Sequence, residues 1–240
     1  MSNPVKQKLL DAARHGRVSE VSSLLRDHPE INVNWTKEIQ DSHLHKACWN
    51  GHVEVVKLLL AYPNIDVKVN NRSGYTPLSY GCQSGRVSVV RLLLKDPRVN
   101  VTLDDGNGRT PLWCASREGK HAVIEWFIAS GRELGDIKNN KGTYGSNEFT
   151  ALEIARNWQR TEVVSLLERF IANPALTRHE LRVKLGVLDA LAAEVFALTV
   201  FLCDDLLQLK PASHLAAIPD HAAAAIRFFT IASKLPWSCR

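Results

Sequence analysis

The sequence predicts an all-α fold: a stack of helix pairs joined by β-turn or hairpin loops, with further helices toward the C-terminus. Three observations carry this. A leucine seven residues ahead of a glycine recurs as Leu9 to Gly16, Leu44 to Gly51, Leu78 to Gly85 and Leu112 to Gly119, about 34 residues apart, the period of a two-helix repeat array. Each glycine is followed by an apolar helical stripe. Between the units the chain alternates and then turns. A fifth copy, Leu152 to Gln159, keeps the pattern without its glycine.

The elements of one unit follow in order. Thr76-Pro77 and Thr110-Pro111 offer a hydroxyl cap and a proline at the first helical position, where the missing N–H costs nothing and φ is already set. This first helix is short. It carries small residues about four places after its leucine, at Ala12-Ala13, Ala47-Cys48, Gly81-Cys82, Cys114-Ala115 and Ala155, so neighbouring helices can approach closely. The glycine then lets the backbone leave the helix through a left-handed conformation.

The second helix reads Val21, Leu24, Leu25 in the first unit, Val55, Val56, Leu59, Leu60 in the second and Val89, Val90, Leu93, Leu94 in the third. Val123, Ile124, Phe127, Ile128 and then Val163, Val164, Leu167 continue the series. Apolar pairs four apart form one buried stripe. Ile65-Asp66-Val67 and Val99-Asn100-Val101, followed by Asn71 to Gly74 or Asp105 to Gly108, read as hairpin-type loops.

With these features in register, the chain resembles the ankyrin-repeat proteins, whose unit is a β-turn plus two antiparallel helices opened by a T-P-L-H phrase. The phrase stands here as Ser42-His43-Leu44-His45, Thr76-Pro77-Leu78-Ser79, Thr110-Pro111-Leu112-Trp113 and Thr150-Ala151-Leu152-Glu153. The resemblance implies an ankyrin-repeat α-solenoid over residues 1–171, with units near 5–38, 39–72, 73–106, 107–146 and 147–171, and a helical segment over 172–240. It also implies that His45, in the histidine slot of the phrase, hydrogen-bonds neighbouring turns.

Two departures matter. The first unit lacks the threonine and proline, which suits a terminal cap with a more polar outer face. The step from Leu112 to Leu152 is forty residues, and the surplus around Gly135 to Asn147 predicts an elongated finger on the hairpin side, where insertions are tolerated.

Beyond Ile171 the register is lost. Asn173-Pro174 breaks the last repeat helix, and Thr177 with Glu180 predicts a capping box for a new one. Leucines and aromatics from Leu181 to Leu206 continue as a long apolar helical pattern, interrupted near Gly186. It is expected to cap the array; the alternative is self-association or another partner through residues 187–208. A shorter alanine-rich helix is expected over 222–231. The terminal Leu235-Pro236 is all that resembles an F-box-like segment, which would make the chain a substrate-recognition adaptor of a ubiquitin ligase with a truncated C-terminus.

Composition excludes several classes. Thirty basic against twenty-five acidic residues give a net charge of +5, with both signs interspersed, so nucleic acid is not the expected partner. The five cysteines sit mostly at buried repeat positions. Cys48 and Cys82 share a phase in adjacent units, about 10 Å apart and beyond disulfide reach, which predicts a reducing, cytoplasmic or nuclear compartment. The N-terminus has no signal stretch, so secretion is not expected, and no span of the chain reads as a membrane helix.

No catalytic or metal-binding constellation emerges. Gly106-Asn107-Gly108 lacks the lysine of a phosphate loop, no serine sits in a nucleophile elbow, and His45 with Cys48 has no third or fourth ligand for zinc. No cofactor, small-molecule substrate or enzymatic activity is expected. The predicted function is protein binding. In ankyrin folds the hairpin tips and first-helix ends line a concave face, which maps here onto Asp41, Trp49, Asn50, Arg72, Tyr75, Gln83, Arg109, Trp113, Arg117, Phe149 and Trp158. Exposed Trp, Tyr and Arg are the types that anchor interfaces, so Trp49, Tyr75, Arg109 and Trp158 are expected to carry more affinity than their neighbours. The competing reading has Trp49 and Trp158 folded back over their own units.

Overall fold

The computed structural model describes residues 4–36 and 41–187. The expectations for 188–240, including most of the apolar helix over 187–208, the stretch over 222–231 and Leu235-Pro236, lie outside the described residues. Residues up to Leu181 form one compact unit; of the second, which begins at Arg182, only 182–187 are described.

Ten helices form five antiparallel pairs: α1 (Pro4–His15) with α2 (Val18–Asp27), α3 (His43–Asn50) with α4 (Val53–Leu60), α5 (Pro77–Ser84) with α6 (Val87–Lys95), α7 (Pro111–Arg117) with α8 (His121–Ser130), and α9 (Ala151–Asn157) with α10 (Thr161–Ala172). The first helices stack on one another in chain order, and the second helices stack behind them. The chain is thus an all-α solenoid of helix pairs, with strands β1 (Lys141–Tyr144) and β2 (Asn147–Thr150) inserted before the fifth pair.

The first helices begin at side-chain caps, expected at Thr76 and Thr110 and found also at Ser42 and Thr150. Ser42, Thr76, Thr110 and Thr150 each accept from the backbone N–H three residues on, removing one of the helix's orphan donors. Leu9, Leu44, Leu78 and Leu112 face the core at no more than 3% exposure, whereas Leu152 in the fifth copy is half-buried and Ile154 is the residue buried there. The small residues Ala12, Ala13, Ala47, Cys48, Cys82 and Ala115 are buried beside them, which lets the first helices pack closely.

The glycine turns serve two purposes. Gly51 has φ +83°, and a Cβ there would lie 2.8 Å from Arg86 Cδ of the next unit. The same holds between Gly16 and His52, Gly85 and Lys120, and Gly119 and Arg160. Each turn is therefore covered by the side chain of the residue that follows the turn of the next unit. In the fifth unit Gln159 takes the left-handed conformation itself, with φ 55°. It is exposed, so the position keeps the backbone demand and loses the spatial one.

These covering residues also join the units. His52 Nε2 donates to Arg14 O at 2.9 Å, Arg86 Nε to Trp49 O at 3.0 Å and Arg160 Nε to Arg117 O at 3.1 Å. A parallel set closes the second helices: Arg98 donates to Leu60 O at 2.8 Å, Arg132 to Leu94 O at 3.3 Å and Arg178 to Ile128 O at 3.2 Å, while Tyr62 donates to Pro29 O at 2.7 Å in the loop after α2. The last carbonyls of a helix lack intrahelical partners and carry the negative end of its dipole. Donors from the following unit, most of them cationic, satisfy them.

The loops take definite forms, and one expectation about the following helix is corrected. The loops at Asn71 to Gly74 and Asp105 to Gly108 are tight turns closed by side chains: Asn71 Oδ1 accepts from the N–H groups of Ser73 and Tyr75, and Asp105 Oδ1 from those of Asn107 and Arg109; in the first, Asn71 N–H also donates to Tyr75 O at 3.1 Å. Paired strands form where the longer fourth loop supplies residues, with Lys141 opposite Thr150 and Tyr144 opposite Asn147. The helix after the repeats, α11 (Pro174–Lys184), starts before the Thr177 and Glu180 pair. Asn173 Oδ1 accepts from Leu176 N–H at 3.1 Å, so Asn173-Pro174 is a cap and first position as well as a break. Thr177 is buried instead, and Glu180 pairs with Arg169.

Candidate protein-binding face

The first-helix face carries two groups of aromatic rings. In the first, Tyr80 is the centre: its ring lies 5.1 Å from Trp49, 5.8 Å from Tyr75 and 5.5 Å from His45. Its hydroxyl accepts from Asn71 Nδ2 at 2.8 Å, and the same amide donates to Asp41 Oδ1 at 2.7 Å. Burial raises the Asp41 carboxyl, but hydrogen bonds from Asn71 and from Lys46 at 2.6 Å outweigh it and hold the group below its ordinary value. Burial, with the Asp41 charge beside it, pushes the Tyr80 phenol up.

Arg109 continues the row. Its guanidinium lies 5.2 Å from the Tyr75 ring and is fixed by Asp105, whose side chain is fully buried. Tyr75 and Phe149 pack against the buried cluster of Trp113, Cys114 and Ile154. Burial brings the Cys114 thiol up to about 12, which leaves it neutral and unreactive.

The second group belongs to the fourth and fifth units. Arg117, paired with Glu118, lies 5.8 Å from both the Trp113 and Tyr144 rings. Tyr144, near the tip of the β1–β2 hairpin, meets Trp158 edge to face at 5.7 Å. The inserted hairpin thus brings an aromatic residue to the end of the first-helix row.

The expected contact residues divide accordingly. Trp49 is 40% exposed and Trp158 39%, so both rings remain on the surface even though each leans on a tyrosine. Arg72 is exposed; Asp41, Asn50, Tyr75, Gln83, Arg109, Arg117 and Phe149 are half-buried. Trp113 is corrected: at 1% exposure it belongs to the core. It occupies the slot of His45 in the phrase, and its indole N–H donates to Phe149 O at 2.8 Å as His45 Nε2 donates to Tyr75 O at 2.8 Å. Gly142 leaves room for it, since a Cβ there would lie 3.1 Å from Nε1.

Tyr80 and Tyr144 were missed. The signal for Tyr80 was present, because it lies three and four residues before Gln83 and Ser84, on the same helix face. Tyr144 had no such signal, as its neighbour Trp158 is reached only through the hairpin.

Among the described residues no three His, Cys, Asp or Glu side chains converge as a metal site would require, and no helix is long and apolar enough to cross a membrane. Fold and face together define a repeat-array protein presenting an aromatic and polar first-helix surface. A model for ankyrin repeats in three copies matches residues 9–105, and one for a single ankyrin repeat matches 107–140. These matches cover more than half of the chain, which belongs to the ankyrin-repeat family. Ankyrin repeats generally mediate protein–protein interaction, and the family is typically non-catalytic. No curated protein matches the chain.

Proposed function

We propose that the protein is a non-catalytic binding module that holds a protein partner on its concave, first-helix face, with Trp49, Tyr75, Arg109 and Trp158 as principal contacts and Tyr80 and Tyr144 supporting them. The observation that carries the reading is the pair of large rings, Trp49 and Trp158, left about two-fifths exposed at equivalent ends of first helices. Burying such rings against a partner removes apolar area from water while Tyr80 and Tyr144 hold them in place, lowering the ordering cost of binding. Arg109 is held by Asp105 and Tyr75, so its geometry is also set in advance.

The test begins with proximity labelling in the native cell, followed by direct binding of the identified partner to purified protein. Trp49→Ala and Trp158→Ala should each weaken capture by about tenfold, as interface anchors do, with unchanged helical circular dichroism. Full affinity in both variants would remove the reading.

A further inference from the structure

The residue after each repeat turn is basic in all five units: Arg17, His52, Arg86, Lys120 and Arg160. Each of the last four lies over the turn of the unit before, so these residues form a row along one edge of the first-helix face. Arg14 and Arg117, two residues ahead of their glycines, add to it. The carboxylates nearby are few and mostly engaged: Glu20 pairs with Arg17, Glu118 with Arg117 and Glu54 with Lys57. Glu162 forms no ion pair among the described residues, and neither do Arg14, Arg86, Lys120 and Arg160.

Two of the cations are also fixed in position. Arg86 and Arg160 use Nε to cap the preceding helix, which anchors the guanidinium while its two terminal nitrogens make no further hydrogen bond among the described residues. Packed helices lie about 8–10 Å apart, so Arg86, Lys120 and Arg160 of the third to fifth units offer a positive charge at roughly that interval. An extended polyproline-type chain rises about 3.1 Å per residue and repeats every three, about 9 Å per turn. The two periods match.

We propose that this edge binds an extended, proline-rich acidic segment of a partner protein, with a carboxylate at every third position facing the basic row and prolines seated against Trp49 and Trp158. The proposal rests on the first-helix face being the partner surface and adds the partner's charge and conformation. A partner bound by exposed cations is bound more weakly as salt rises. Aromatic grooves accept prolines because the ligand helix is already ordered.

The probe is a fluorescein-labelled peptide of about six Glu-Pro-Pro triplets, extended by its prolines, titrated against the full chain by fluorescence anisotropy. Binding should weaken by about tenfold between roughly 50 and 300 mM salt. The combined variant Arg86→Gln, Lys120→Gln, Arg160→Gln keeps an amide donor at each position and should lose about tenfold in affinity with an unchanged melting temperature. Neutralising Lys57, Arg91 and Lys95 on the second helices should have little effect. If that control loses as much, if a Lys-Pro-Pro peptide binds equally, or if single-stranded oligo-dT of similar length binds more tightly, the proposal fails. The partner found by proximity labelling separates the two readings: capture lost in Trp49→Ala and Trp158→Ala but indifferent to salt and to the triple variant would overturn the acidic-segment proposal and leave the binding face standing.

Discussion

His43 and His45 sit one residue apart in the sequence and are both buried, yet their hydrogen bonding differs. His45 accepts at Nδ1 from Ser42 and donates at Nε2 to Tyr75 O, so one neutral tautomer satisfies both nitrogens. His43 faces two carbonyl oxygens, Val33 O at 2.7 Å and Lys6 O at 3.2 Å; a neutral ring donates to one, and the shorter contact is that bond. Burial lowers both pKa values from the ordinary 6.5 and outweighs the carbonyls, which raise them. The folded state therefore resists a proton that the unfolded chain takes up. This contribution to stability is complete above 6.5 and is lost as pH falls below it. The melting temperature should drop between about pH 7.5 and about pH 5.5, and drop less in the double variant His43→Gln, His45→Gln. An equal drop in that variant would assign the acid sensitivity elsewhere.

The helix pair is the next scale, and its turn is where sequence and packing meet. Gly51 must satisfy a left-handed φ and leave space for the Arg86 stem, whereas Gln159 meets the first demand alone. A non-glycine residue in that conformation costs about 1–2 kcal/mol. Gln159→Gly should therefore raise stability by up to about 1 kcal/mol after glycine's larger entropy loss is subtracted. Gly51→Ala should lower stability by about 1–2 kcal/mol, with the flexible Arg86 stem absorbing much of the 2.8 Å approach. Urea unfolding of the two variants checks both signs; a destabilised Gln159→Gly would mean that the glutamine side chain contributes packing at the turn.

Across the whole array, stability passes between neighbours. Each first helix touches those before and after it, and every unit past the first places a donor on a carbonyl of its predecessor. Leu78, in the middle of the stack, is 1% exposed; Leu78→Ala should cost about 2–5 kcal/mol. Nearest-neighbour coupling predicts that the loss spreads. Hydrogen exchange should show lower protection in α3 and α7 as well as α5, with α10 affected least. Protection lost from α5 alone would contradict a coupled array.

The sequence by itself determined the repeat period, the caps at Thr76 and Thr110, the glycine turns and the buried faces of the helices, because each depends on residues within one turn or one helix. It also reserved for Trp113 the slot of His45, although the indole's burial follows only once Phe149 O is brought opposite it. Tertiary structure decided the rest. The hairpin carries Tyr144 to Trp158, and cations from one unit close the helices of another. Tyr144 and Trp158 meet across a hairpin, and the cation–carbonyl bonds join residues more than 30 positions apart. A linear reading sees each residue's local preference, whereas stacking chooses its partner.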